Sequence, residues 1–228
     1  MTTARRMSVV IPVFNEAASL PRVLAAVVAL PGAVEVIVVD DGSTDATPEI
    51  LGRTSHPAVV SIRSDRNRGK GAALRAGIAR ATAPIVVFQD ADLEYDPAAL
   101  DALVGPIERG EADAVYGSRF LGADRQATGP VHRAANWFLT WLSNRFTGLR
   151  LTDMETGQKA VRREVIRSLD LVEDRFAIEP ELTARLARAR CRIVEVPVRY
   201  RGRSRAAGKH IGLRDGLRAI VCIVRCAW

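Results

Sequence analysis

The sequence is poor in several residue types, and each shortage narrows what the chain can be. Aromatic residues make up 5% of its 228 residues, and there are three histidines and three cysteines. No run of about 18 uncharged apolar residues occurs, so no membrane-spanning helix is expected. The apolar stretch after Arg5 and Arg6 is interrupted by Pro12, Asn15 and Glu16, which does not suit a secretory signal. Cys191, Cys222 and Cys226 have no metal-ligand spacing and cannot all pair as disulfides, so the chain is expected to be reduced and cytoplasmic. Acidic residues are outnumbered, 26 against 33 lysines and arginines, giving a net charge of +7 that favours anionic partners. Apolar residues are plentiful at 48%, enough for a sizeable core and against disorder.

The charge is unevenly placed. Carboxylates gather at Asp40-Asp41 and from Asp90 to Asp96, whereas arginines crowd the last third, at 185, 188, 190, 192, 199, 201, 203 and 205. Short apolar runs at Ser8–Phe14, Val34–Val39, Val59–Arg63 and Pro84–Phe88 read as buried strands. They alternate with helical stretches at Ala17–Leu30, Asp45–Arg53 and Gly71–Ala81, and a further helix follows Asp96, its cap, with Pro97 at the first position. This alternation predicts a mainly parallel sheet with helices on both faces. A fifth strand is expected at Ala112–Tyr116 and another at Ile193–Tyr200, with helices at 131–147, Arg162–Leu169, Ile178–Ala189 and Leu213–Trp228. The division follows: residues 1–212 form the main domain, Gly202–Gly212 a polar basic loop, and 213–228 an amphipathic C-terminal helix.

Ligands of such sheets bind beyond the carboxyl ends of the strands. Asn15-Glu16, Asp40-Asp41 and Asp90–Asp92 all fall there. Asp90-Ala91-Asp92 offers two carboxylates to one hard cation, and Mg2+ or Mn2+ takes oxygen ligands while retaining phosphate oxygens. An isolated pair of this kind is usually a solvated, helix-capping turn, but here a second acidic pair shares the rim, which favours a metal–diphosphate site. Asp40 can accept hydrogen bonds from a base or ribose, or serve only as a turn residue. Asn67-Arg68-Gly69-Lys70-Gly71 lacks Walker spacing, and Leu74 replaces the third glycine of a dinucleotide fingerprint. It reads as a basic loop beside a diphosphate or as a plain glycine-rich helix entry.

Joined together, these motifs point to a family. Val9-Val-Ile-Pro-Val-Phe-Asn-Glu16, Val38-Val-Asp-Asp-Gly-Ser-Thr-Asp45, Asn67-Arg-Gly-Lys-Gly71 and Gln89-Asp-Ala-Asp-Leu-Glu-Tyr-Asp-Pro97 resemble the family 2 glycosyltransferases of GT-A fold. Tyr116-Gly-Ser-Arg-Phe120, Leu151-Thr-Asp-Met-Glu-Thr-Gly157, Phe176-Ala-Ile-Glu-Pro-Glu181 and Val196-Pro-Val-Arg-Tyr200 are similar to the polyprenyl-phosphate (dolichyl-phosphate) mannosyl- and glucosyltransferase branch. The resemblance runs from about Val9 to Gly216. It implies a GT-A, Rossmann-like α/β fold and inverting transfer of a hexose from a nucleoside diphosphate sugar to a polyprenyl phosphate. GDP-mannose is the favoured donor and UDP-glucose the alternative, with Mg2+ or Mn2+ as cofactor. By the same resemblance Pro12, Phe14, Glu16, Asp40, Lys70 and Asp90 contact the nucleotide sugar. Asp90 and Asp92 bind the metal, and Glu94 stands where relatives often carry Gln as a further contact. Arg119, Arg203 and Lys209 hold the acceptor phosphate.

The chemistry follows from these residue types. A cation offsets the charge gained by the leaving diphosphate. A phosphate monoester acceptor, whose second pKa is about 6, is already mostly ionised and needs no protein base. His56, His132 and His210 therefore read as surface residues. An alcohol acceptor would need a base, for which Asp153 and Glu179 are the candidates. A soluble small acceptor is the alternative to the lipid. A nucleic-acid-binding protein would share the +7 charge, but its phosphates would meet carboxylates on three strand ends, so no nucleic-acid partner is expected. Two segments could touch an anionic bilayer from the inner face of the plasma membrane: 131–147, with Val131, Ala135, Phe138, Leu142 and Phe146 on one stripe beside Trp137 and Trp141, and Leu213–Trp228. Ordinary core packing is the competing reading of both stripes.

Overall fold

The computed structural model describes residues 6–32, 34–121, 129–202 and 213–226. Seven strands form one sheet: β1 (Met7–Val13), β2 (Val34–Asp40), β3 (Val59–Arg63), β4 (Ile85–Phe88), β5 (Ala114–Ser118), β6 (Lys159–Arg162) and β7 (Ile193–Pro197). Their order across the sheet is β3-β2-β1-β4-β6-β5-β7. β1 pairs in parallel with β2 and β4, β2 with β3, and β5 with β7, while β6 runs antiparallel between β4 and β5. The expected mainly parallel α/β sheet is therefore present.

β6 is the element that the sequence did not announce. Its four residues, Lys159-Ala-Val-Arg162, are too few and too polar at both ends to show as a buried run. The strand is stabilised by two neighbours instead, lying wholly inside the sheet.

Helices α1 (Leu20–Val28), α2 (Thr47–Arg53) and α4 (Leu100–Glu108) cover one face, with Leu20, Val23, Val27, Leu51, Leu103 and Val104 packed on Val9, Ile11, Val36 and Val38. Helices α3 (Lys70–Arg80), α6 (Arg163–Ser168) and α7 (Ile178–Arg188) cover the other, where Leu74, Ile78, Ile166, Leu182 and Leu186 meet Val10, Ile37, Val39 and Phe88. Because the central strands are buried on both sides, they read as continuous apolar runs rather than alternating ones. A 3-10 turn at Pro97–Ala99 leads into α4, and Asp96 caps it by accepting from the Ala98 amide at 3.0 Å.

Helix α5 (Pro130–Thr147) inverts the core-packing expectation. Its polar residues Asn136, Thr140, Ser143 and Asn144, at helical spacing, turn inward. Asn136 donates to Asp153, Thr140 accepts from the Met154 amide, and Asn144 both donates to the Leu151 carbonyl and accepts from the Leu151 amide. Val131, Trp137, Phe138, Trp141 and Phe146 face outward, Trp137 with 66% of its surface exposed. Helix α8 (Leu213–Cys226) packs on α5 and α7 through Ala219, Cys222, Ile223 and Cys226, leaving Leu217, Val221 and Val224 exposed along one side.

The fit of α3 against β1 sets a steric prediction. A Cβ at Gly77 would lie 2.2 Å from the buried Val10 Cγ1. Gly77→Ala should destabilise the fold by about 1–3 kcal/mol, the range for overpacking a core. Gly52→Ala on α2, with nothing near its Cβ, should be neutral or slightly stabilising. Thermal melts of the two variants check this, and an unchanged melt for Gly77→Ala would contradict it.

Candidate active site

The site lies where β1, β2, β3 and β4 reach their carboxyl ends. Register places Val13, Asp40 and Arg63 in one row across the first three strands, and β4 ends at Phe88 just before Gln89-Asp90. The chain leaving β1 turns at Asn15, which adopts a left-handed φ of 56° and accepts from the Thr44 amide at 2.8 Å. Asn15 thereby ties the first strand end to the second. Pro12 is half-buried in β1, Phe14 is exposed at its end, and Glu16 accepts from the Ser19 hydroxyl at 2.6 Å.

Asp40 and Asp41, adjacent in sequence, have different work. Asp41 is buried and accepts from the amides of Arg68 and Gly69, at 2.6 Å for Gly69, so it fixes the 66–71 loop. Gly69 there has φ 113°, a conformation other residues rarely adopt. Asp40 is fully buried, and its Oδ1 accepts from the Ser43 amide at 2.8 Å. Its Oδ2 has no hydrogen-bond donor, only the Arg63 guanidinium at 3.6 Å. A buried carboxylate oxygen without a donor is costly, and this one can accept from a base or ribose at the strand end.

At the end of β4, Asp90 pairs with Lys70 at 2.8 Å, and Lys70 pairs with Glu179 at 3.1 Å. Glu179 is held from behind by Lys159, which is 0% exposed, contacts the Thr156 carbonyl and lies 4.7 Å above the Tyr116 ring. Burial opposes the charge on Lys70, but Asp90 and Glu179 more than offset it, so its pKa is raised and it stays cationic. Asp92 accepts from the Glu94 amide at 3.0 Å around Leu93, whose φ is 61°. Glu94 accepts from the Tyr200 hydroxyl at 2.6 Å.

Arg119, just past β5, sits in a fork with Asp153: Nε and Nη2 each donate to a different carboxylate oxygen at 2.7 Å. Asp153 also accepts from the Arg119 amide and from Asn136. Burial works against the guanidinium charge, and Tyr95 and Asp153 outweigh it, so the Arg119 pKa is raised. Its Nη1 has no acceptor among the described residues and is available to an anion. Arg119 also stacks on Tyr200 at 5.1 Å, and Tyr200 packs on Tyr95 at 4.9 Å. The Tyr95 hydroxyl accepts from the Gly157 amide at 3.0 Å.

These contacts bring Asp90, Asp92, Glu94, Lys70 and Arg119 into one region. The loop from Asp153 to Gly157 joins its two ends. Asp153 grips Arg119, while Gly157 lies so close to Asp90 that a Cβ there would stand 2.1 Å from Asp90 Oδ2. The two base candidates, Asp153 and Glu179, are both engaged by cations. Arg203 and Lys209 lie outside the described residues. His56 and His132 are exposed, as expected; His210 is outside the described residues. The sequence reading did not assign Lys159, Asn136, Tyr95 or Tyr200 to the site, and paired neither Arg119 with Asp153 nor Lys70 with Asp90.

The residues fit a divalent cation. No three histidine, cysteine or carboxylate groups among the described residues form a ready-made metal cluster. However, two carboxylates suffice for Mg2+ or Mn2+ when a diphosphate and water supply the other oxygens. The side-chain-free position at Gly157 is what admits the Asp90 carboxylate to this corner.

Comparison with known proteins agrees with the geometry. Residues 8–170 match the family model described as glycosyl transferase family 2. The chain is 32% identical over 223 residues to dodecaprenyl-phosphate galacturonate synthase of Rhizobium johnstonii, covering 94% of this chain and 64% of that protein. It is 32% identical over 219 residues to undecaprenyl-phosphate 4-deoxy-4-formamido-L-arabinose transferase of Salmonella enteritidis, covering 92% and 64%. The chain thus spans less than two thirds of the length of these curated relatives. Among solved structures, glucosyl-3-phosphoglycerate synthase from Mycobacterium tuberculosis with phosphoglyceric acid matches with a TM-score of 0.74 at 26% identity, covering 98% of this chain and 80% of that one. The same enzyme with Mn2+, UDP-glucose and phosphoglyceric acid matches with a TM-score of 0.70 at 28% identity and the same coverage.

Proposed function

Because the chain belongs to glycosyl transferase family 2, we propose that it transfers a sugar from a nucleoside diphosphate sugar to the phosphate of a polyprenyl lipid, with inversion. The observation that carries this reading is the single loop from Asp153 to Gly157 that holds Arg119 at one end and abuts Asp90 at the other. The Rhizobium and Salmonella relatives, named for dodecaprenyl and undecaprenyl phosphate, support the acceptor class. Neighbours solved with UDP and UDP-glucose support a uridine donor, and nothing in these comparisons supports the GDP-mannose expected from the sequence.

In this account Pro12, Phe14, Glu16 and Asp40 receive the nucleoside. Asp90 and Asp92, with Glu94 beside them, would hold Mg2+ or Mn2+. The cation, when bound, offsets the charge that develops on the departing diphosphate. Lys70, held between Asp90 and Glu179, adds a second positive charge where the diphosphate lies. Arg119, through its unoccupied Nη1, binds the acceptor phosphate together with Arg203 and Lys209. An ionised acceptor oxygen attacks the anomeric carbon, the bond to the diphosphate oxygen breaks, and the nucleoside diphosphate leaves with the electron pair. No protein base is needed for an acceptor whose second pKa is about 6, in keeping with Asp153 and Glu179 both being engaged by cations. A second reading, transfer to a soluble phosphorylated acid, is favoured by the likeness to neighbours solved with phosphoglyceric acid.

The lipid acceptor gives the outward aromatics of α5 a role. No helix among the described residues is long and apolar enough to cross a membrane. Val131, Trp137, Phe138 and Trp141 of α5 and Leu217, Val221 and Val224 of α8 are exposed instead, and the same helices expose Arg133, Arg145 and Arg218. Aromatic and aliphatic side chains flanked by arginines suit the surface of an anionic bilayer.

Two experiments test these points. Incubation with UDP-glucose, GDP-mannose, a short polyprenyl phosphate and 3-phosphoglycerate, followed by mass analysis, should give a glycosylated polyprenyl phosphate. Asp92→Asn should lose that product by at least about a hundredfold, the scale of a lost charge-stabilising group, while melting like the parent; near-normal transfer by the variant would contradict the metal role. In flotation with vesicles of phosphatidylcholine and phosphatidylglycerol, the protein should rise with the vesicles and Trp137→Glu/Trp141→Glu should stay behind. Equal flotation of both would remove α5 from the membrane contact.

A further inference from the structure

Glu155 occupies the loop between the residue that grips Arg119 and the residue that abuts Asp90. Its Oε1 is shut off from solvent and has no hydrogen-bond partner. The charged groups facing it come from four directions: Glu179 on α7, Lys159 on β6, Arg119 past β5, and Asp153 on its own loop. Each of these four already has an ion-pair partner, whereas Glu155 has none among the described residues. Burial, reinforced by Glu179, pushes its carboxyl up to about 7. A carboxyl in that condition can donate as well as accept a hydrogen bond.

An unsatisfied buried oxygen persists where a ligand completes it more readily than the fold does. In an inverting displacement the sugar lies between the leaving diphosphate and the attacking oxygen. Here those two positions are marked by Asp90 and Arg119, and Glu155 stands on the loop between their neighbours, Gly157 against Asp90 and Asp153 against Arg119. We propose that Glu155 contacts the transferred sugar and hydrogen-bonds its hydroxyl groups, making it a specificity-determining residue for the sugar rather than for the nucleotide. This rests on the reading of Asp90 as the donor end and Arg119 as the acceptor end. The ligand class is a hydroxylated sugar ring, whose hydroxyls match a group that can both donate and accept.

Calorimetric titration of the full chain in the presence of Mn2+ tests the assignment, using UDP and UDP-glucose, and GDP and GDP-mannose, as paired probes. Glu155→Ala should bind the sugar-free nucleotide as the parent does, yet bind the sugar nucleotide roughly tenfold more weakly, the value of one lost hydrogen bond to a charged or polarised group. Glu155→Gln, nearly isosteric, should recover part of that loss and carries the test if the alanine variant fails to fold. Equal weakening for nucleotide and sugar nucleotide, or no weakening in either variant, overturns the role of Glu155. A parent protein that binds none of the four nucleotides overturns the donor-site reading itself.

Discussion

The structure depends on one buried line of alternating charge. Lys159, removed from solvent inside the sheet, is neutralised by Glu179, which also holds Lys70, which in turn holds Asp90 at the edge of the site. Placing an ammonium in a low-dielectric interior is costly unless it is paired and hydrogen-bonded, and removing one partner of such a pair leaves an uncompensated charge. The cost is met by the Thr156 carbonyl and the Tyr116 ring as well as by Glu179. The antiparallel β6 exists at this point to deliver Lys159, and α7 to deliver Glu179. The line therefore couples the core of the sheet to the position of the carboxylate that would meet a metal.

A second pairing does the same past the end of β5. The Arg119–Asp153 fork is backed by Asn136 from α5, so the helix that shows its aromatics to solvent also braces the site through its polar side. Under the proposed function, seating the exposed face of α5 on a bilayer would hold the Asn136 side, and with it Arg119, at a fixed distance from the bilayer surface. Glucosyl-3-phosphoglycerate synthase shares this fold framework, and a shared fold does not by itself decide the ligand.

Much of this was legible in the sequence, for identifiable reasons. The central strands are buried on both faces, so β1, β2 and β4 appear as uninterrupted apolar runs, and their ends are marked by Asn15, Asp40 and Asp90. Helix signals such as Asp96 with Pro97 acted locally and were readable for that reason. β6 was not, because a four-residue strand held by both neighbours needs no apolar pattern of its own. The stripe of α5 alone left surface and core readings open, because the hydrogen bonds of Asn136, Thr140 and Asn144 that turn the polar side inward are made to the distant 151–154 segment. The partners of Arg119, Lys70 and Glu94 lie 34, 109 and 106 residues away along the chain, and no local pattern could pair them. The Glu155 carboxyl illustrates the same limit, since its exceptional setting comes from α7, β6 and the end of β5 together.

The central claim is that nucleotide binding at the strand ends runs through a divalent cation held by Asp90 and Asp92. Thermal shift with UDP and GDP, with Mn2+ added or chelated, tests it most directly. The account predicts that a nucleoside diphosphate raises the melting temperature when Mn2+ is present and does so little or not at all with chelator. Equal stabilisation with and without the cation would contradict it.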